Sequence, residues 1–234
     1  MVRRTWVVAL VCAACLVSTS GWARPKDLVS RINNAERYLE ELMDAPDTEI
    51  PSALLRECKG VIIMREYRAG FGIGVKGGYG VALVRDEKTG VWSPPVFMNA
   101  GQTSIGLQIG GQSVDSVILI MNTDGMKMLL KAKFKIGVDA SAAIGPVGRD
   151  AAAKVSPGTA FLIYSRAKGL YAGASFEGGF LVTDDDANAR FYGVEHIKAK
   201  EILFHGKVEM PAEARHLVAA LERYSRPPQP AGAQ

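Results

Sequence analysis

One stretch limits what this chain can fold into more than any other: residues 69–86, AGFGIGVKGGYGVALVRD. Read as extended chain, every even position from 70 to 82 except Lys76 is small (Gly70, Gly72, Gly74, Gly78, Gly80, Ala82), while the odd positions carry Phe71, Ile73, Val75, Tyr79, Val81 and Leu83. Successive side chains of a strand point to opposite faces, so one face is apolar and the other nearly bare backbone. Glycine weakens a strand interior, and a whole face of it signals tight bending or close approach by another backbone or a ligand. The stretch therefore predicts a curved, tightly packed sheet. It is compatible with a hairpin turn at 76–78 or with a bend inside one long strand.

The same device recurs. Residues 105–121 (IGLQIGGQSVDSVILIM) and 170–184 (LYAGASFEGGFLVTD) run from small residues through a Gly-Gly pair into an apolar strand, with the pairs at 77/78, 110/111 and 178/179. The copies share no helical unit, so they describe one β architecture rather than a solenoid. Around it, helical spacing of Leu28, Ile32, Ala35, Leu39 and Leu42 after Asp27 predicts an amphipathic helix over 28–43. Its polar face mixes Arg31 and Arg37 with Glu36, Glu40 and Glu41, which suits packing on a sheet better than lying on a membrane.

Pro51 opens a short helix through Glu57, and Pro211 starts a last one with Ala214, Leu217, Val218 and Leu221 inward. Residues 61–64, 96–99, 117–121 and 159–164 read as strands, with 65–68 a polar connection, 86–90 a turn and 165–169 another turn. Asn122 and Thr123 cap a helix from about 124 to 131 that turns Met126, Leu129 and Leu130 inward. Residues 140–149 are rich in small side chains and end in a turn. The fold class that follows is α+β: a curved antiparallel, barrel-like sheet covered by N-terminal, middle and C-terminal helices.

At 234 residues the chain suits one domain, and 48% hydrophobic residues supply its core. Residues 1–23 read as a secretory signal, with Arg3 and Arg4 ahead of an apolar run that is too short to span a bilayer, and Gly21-Trp22-Ala23 offering small residues at the cleavage positions. Cleavage after Ala23 competes with lipoprotein processing at Cys15, which would leave an acyl anchor. The expected location is the periplasm or cell envelope, with residues 24–226 as the domain and 227–234 as a disordered, proline-rich tail. Beyond the leader only Cys58 remains, so no disulfide forms within the mature chain, and its place before an apolar strand marks it as a core residue.

Chemistry is sparse. Gly72-Ile73-Gly74-Val75-Lys76-Gly77 satisfies G-x-G-x-x-G, but a dinucleotide site needs a helix after the turn and here the β alternation continues. Asp184, Asp186, Asn188 and Glu195 fall at calcium-loop spacing, yet Ala189 stands where that loop needs glycine, which leaves a polar turn. His196, His205 and His216 share no metal-ligand spacing and no nucleophile elbow is present, so neither a cofactor nor a catalytic residue is expected. The net charge of +4, without basic runs interleaved with aromatics, gives no nucleic-acid signature. The one notable cationic pattern is Lys131, Lys133 and Lys135 alternating with Ala132, Phe134 and Ile136. A strand there presents three ammonium groups on one face, either to solvent and an unpaired edge or to phosphate.

In order along the chain, Lys59-Gly60, Trp92-Ser93-Pro94-Pro95, residues 106–110 with Asp115, Gly145-Pro146-Val147-Gly148-Arg149, Tyr164-Ser165-Arg166 with Lys168-Gly169-Leu170, Ala172-Gly173 with Glu177-Gly178, Asn188 with Phe191-Tyr192-Gly193, and Ile202-Leu203 with Gly206 and Pro211 resemble the SYLF, or Ysc84-like, family. The resemblance implies a non-enzymatic lipid-binding module; similar domains associate with membranes and phosphoinositides, and some fungal ones bind actin. With an export leader, phosphoinositides and actin are not expected partners, and the part that carries over is anionic phospholipid. By charge and local geometry the candidate lipid contacts are Lys131, Lys133, Lys135, Arg166 and Lys168. The alternatives are an envelope assembly protein whose glycine face receives a partner strand or helix, and a lipid-modifying enzyme.

Overall fold

The structure, a computed structural model, describes residues 25–47, 49–148, 150–169 and 180–227, with the backbone alone described at 25, 68–76, 102–110 and 167–169. Residues 1–24 with Cys15, Arg149, the third Gly-Gly pair and residues 228–234 lie outside this set. The fold class is α+β, organised on two strands of 25 residues, β1 (Gly60–Val84) and β2 (Val96–Ile120). They pair antiparallel from Gly60↔Ile120 to Ala82↔Val96, with a single register shift between Phe71 and Ile73. Neither 65–68 nor 76–78 interrupts the ribbon. The polar residues at 65–68 fit inside a strand because Arg65 crosses to Asp115 on β2, Nη2 standing 2.6 Å from Oδ2 and Nε bonding the other oxygen.

Glycine lets this ribbon fold back along itself. A Cβ built on Gly78 would stand 2.5 Å from the Arg65 carbonyl oxygen, and one on Gly80 would stand 2.2 Å from that of Ile63. The Arg85 amide donates to the Lys59 carbonyl at 2.8 Å, so the two ends of β1 are neighbours. At Gly78 and Gly80 the bare face is therefore filled by the chain's own backbone, and an added strand or helix finds no room there.

The curl makes a half-barrel. β5 (Phe161–Gly169) pairs with the C-terminal half of β2, from Gln112↔Gly169 to Ile120↔Phe161. β6 (Phe180–Thr183) pairs with its N-terminal half, from Met98↔Thr183 to Gly101↔Phe180. β3 (Lys133–Lys135) adds antiparallel to β6, and β4 (Ala142–Ile144) adds parallel to β5. That parallel pair departs from the all-antiparallel expectation; the long connection over 145–160, with a 3-10 turn at Ala152–Lys154, supplies the crossover it needs. Residues 165–169 continue β5 instead of turning, and Ser165 and Ser116 bond through their hydroxyls at 2.8 Å inside the sheet.

Strict alternation gives the sheet two cores. Val61, Ile63, Val81, Leu83, Phe97, Val117, Leu119 and Leu162 pack on the outer face under α1 (Pro25–Met43), α2 (Ser52–Glu57) and α6 (Arg215–Ser225). The stripe Leu28, Ile32, Ala35, Leu39 and Leu42 is wholly buried there, so α1 covers the sheet. Ile62, Met64, Ala82, Val96, Met98, Ile118, Phe161 and Leu181 fill the inner face, closed by Met128, Leu129, Ile202 and Leu203. The rings of Phe134 on β3 and Phe161 on β5 stack at 6.2 Å, which brings edge strand β3 over to β5 across this inner core. Gly145 is needed where it stands, since a Cβ there would lie 2.1 Å from the Tyr164 ring, whose hydroxyl donates to the Pro146 carbonyl at 2.9 Å.

The remaining helices differ in detail from the pattern. α3 (Thr123–Met128) is capped by Asn122, whose Oδ1 accepts from the Gly125 amide at 3.0 Å, and it ends early; Leu129 is buried but Leu130 is exposed, not inward. Where a polar turn was expected after β6 there is a helix, α4 (Asp185–Tyr192), because Asp184 caps the Ala187 amide at 3.1 Å, Asp185 and Asp186 favour its first turn, and Gly193 closes it at φ 65°. A further short helix, α5 (Ala199–Leu203), follows. Pro211 begins a 3-10 turn, Ala212–Ala214, before α6 proper.

Candidate functional site

The surface around β3 is set by packing on its other side. Phe134 is buried against Phe161, and in a strand that forces Lys133 and Lys135 outward; both are exposed. Lys131, one residue before the strand, is exposed as well. Lys133 Nζ stands 3.7 Å from the centroid of the ring of Phe180, the residue opposite Lys135 on β6, a cation on an aromatic face. After Lys135 the chain turns through Gly137 at φ 83°, with Asp139 Oδ2 accepting from the Lys135 amide at 2.6 Å. Val138, at the tip of that turn, is 74% exposed, and Leu130, ahead of Lys131, is 55% exposed.

Among the described residues none of the three lysines is ion-paired, whereas nearby Lys127 pairs with Asp124 at 2.8 Å. The result is a short cationic row with a large apolar side chain at either end. The alternation alone points to the lysines; Leu130 and Val138 carry no such signal, because their exposure depends on where α3 stops and how the 137–139 turn is made.

The Ysc84 family model, described as "Las17-binding protein actin regulator", matches residues 101–224, more than half of the chain and all of β3. The chain belongs to the Ysc84 family. SH3 domain-containing YSC84-like protein 1 of Xenopus laevis is 30% identical to it over 209 residues, which is 86% of this chain and 62% of that protein. The Homo sapiens protein of the same name is 30% identical over 209 residues, at 86% and 60%. Protein YSC84 of Saccharomyces cerevisiae is 31% identical over 208 residues, at 85% and 44%. The chain thus spans about 60% or less of the length of these relatives. No solved structure matches it significantly.

Within this Ysc84 fold the other sequence-derived contacts stand apart from the row. Arg166 lies on β5, against the C-terminal half of β2, while β3 reaches β2 through β6 at its N-terminal half. Its Nη1 donates to the Glu41 carbonyl at 3.0 Å, near the end of α1. Lys168 follows on the same strand, paired with Ser113, with only its backbone described. The structure brings Lys131, Lys133 and Lys135 together and gives Arg166 a separate setting.

Among the described residues, the cysteine and two of the tyrosines of the Ysc84 fold are tied into its packing. Cys58 is buried with its thiol at 3.2 Å from the Leu55 carbonyl, and burial pushes that thiol up to about 12, so it is a core residue. Burial likewise raises the Tyr164 and Tyr192 phenols, each of which donates to a proline carbonyl. Among the described residues no group of His, Cys, Asp and Glu could hold a metal ion, and no helix is long and apolar enough to cross a membrane.

Proposed function

We propose that this Ysc84-family chain is a non-enzymatic module of the cell envelope that docks on anionic phospholipid through Lys131, Lys133 and Lys135, the export leader carrying it there. Actin and Las17 are not partners in this reading. The observation that supports it is the row itself: three exposed ammonium groups, free of carboxylate partners among the described residues, between exposed Leu130 and Val138. Cations near an anionic surface contribute on the order of 1 kcal/mol each, so the row supplies roughly 3 kcal/mol, and apolar tips reaching the acyl boundary add to it. Such binding is weak, reversible and screened by salt.

Sedimentation of the full chain with phosphatidylglycerol vesicles tests the reading. Binding at low salt that fades at high salt, and that is absent with phosphatidylcholine, is expected. No binding to phosphatidylglycerol at low salt overturns it.

A further inference from the structure

A cleft of about 660 Å³ opens between the 85–94 segment, α3 and α5, within the range of small-molecule sites. Its walls are mainly apolar, with Val91, Pro94, Met126, Leu130, Leu203 and Phe204 among them. Val91, Leu130 and Phe204 are exposed, although each is large enough to gain from cover. Arg85 stands in the wall, its guanidinium 5.0 Å from the centroid of the Trp92 ring, with Nε donating to the Gly90 carbonyl at 3.2 Å and Nη1 to the Arg56 carbonyl at 2.8 Å. Both acceptors are neutral carbonyls, and the remaining guanidinium donors have no acceptor among the described residues. The neighbouring acids are engaged elsewhere: Asp86 Oδ1 takes the Lys88 and Thr89 amides and the Thr89 hydroxyl, and Glu87 pairs with Lys59.

We propose that this cleft binds one single-chain fatty carboxylate, its alkyl chain along the apolar walls and its carboxylate on Arg85. A guanidinium held in place by an indole and two carbonyls is oriented before a ligand arrives, and its free fork matches a carboxylate. The charged side of the lining carries Arg85, Lys88 and Lys127 against Asp86 and Glu87, so it is net cationic beside an apolar groove and selects a ligand with a single anionic end and a hydrocarbon body. The head-group contact, Arg85, is separate from the lysines on β3 and Leu130 is the residue the two surfaces share, so a soluble amphiphile and a vesicle surface are bound by different cations.

Titration calorimetry of the full chain with dodecanoate and decanoate, below the concentrations at which they form micelles, tests this. One site is expected, with affinity rising about fourfold per buried methylene. Arg85→Gln lowers decanoate affinity about tenfold and leaves 1-decanol unaffected, while Phe204→Asp weakens both. Lys133→Gln with Lys135→Gln leaves decanoate binding unchanged and weakens only vesicle binding, so loss of either activity alone identifies which proposal has failed. A diazirine-bearing dodecanoate gives a readout on the unsubstituted chain, labelling peptides from 85–94, 123–130 or 199–206. No dodecanoate binding, labelling confined to other segments, or a folded Arg85→Gln variant that holds decanoate as the parent does overturns the proposal.

Discussion

Replacing Gly80 by alanine tests the folded-back ribbon at its tightest point. The added Cβ would stand 2.2 Å from the Ile63 carbonyl oxygen and 2.5 Å from the Met64 Cβ, about 1 Å inside ordinary contact on both. Both are atoms of the facing strand segment rather than the far end of a flexible side chain, so relief requires the two ends of β1 to move apart. Overpacking of this kind costs about 1 to 3 kcal/mol, and backbone contact puts Gly80→Ala at the upper end. Gly77→Ala is its internal control, on the same strand with nothing within 4 Å of the added methyl. There alanine is expected to be neutral or to stabilise by about 0.5 kcal/mol, because it restricts the unfolded chain. For a domain of this size 1 kcal/mol corresponds to roughly 2 to 4 °C, so Gly80→Ala should melt about 6 to 12 °C below the parent and Gly77→Ala at or slightly above it. Thermal melts followed by circular dichroism measure both. Equal melting of Gly80→Ala and parent, or equal losses in the two variants, would refute the close approach.

Asp115→Ala leaves the Arg65 guanidinium over the Tyr38 ring without its buried partner, and urea unfolding should show a loss of about 3 kcal/mol. Asn188→Ala strips the Phe97 amide of its acceptor at 2.9 Å in the core, and the same assay should show about 1 to 3 kcal/mol lost. Iodoacetamide should label Cys58 in urea but not in the native protein at pH 8, as read by peptide mass. Because folding raises that thiol from 9.0 to about 12, its contribution to stability is full below about pH 9 and is lost as pH rises toward 12; Cys58→Ala should flatten that part of the alkaline stability profile.

The alternation in 69–86 was enough to announce a curved sheet with something close against its bare face, backbone or ligand; the fold shows that at Gly78 and Gly80 it is the chain's own backbone. The unity of β1 was not legible, because Arg65 and Glu66 look like a solvated link until Asp115 is seen 50 residues away to receive the guanidinium. Ser165 and Arg166 misled in the same way, short-range polarity standing in for a turn where partners on β2 make a strand. At Asp184 the helix signal was present, an acidic cap followed by two more acids, but calcium-like spacing drew attention to a loop. α5, with five residues, is too short for helical periodicity to register. The lysine row was readable because Phe134 and Ile136 alternate with it. The cleft was not, since three segments from distant parts of the chain build its walls.

The most direct measurement is the affinity for phosphatidylglycerol vesicles of the parent and of a variant combining Lys131→Gln, Lys133→Gln and Lys135→Gln, with melting recorded for each. At about 1 kcal/mol per lysine the variant should bind roughly a hundredfold more weakly at low salt, with unchanged melting. Equal affinities for the two folded proteins would contradict docking through β3.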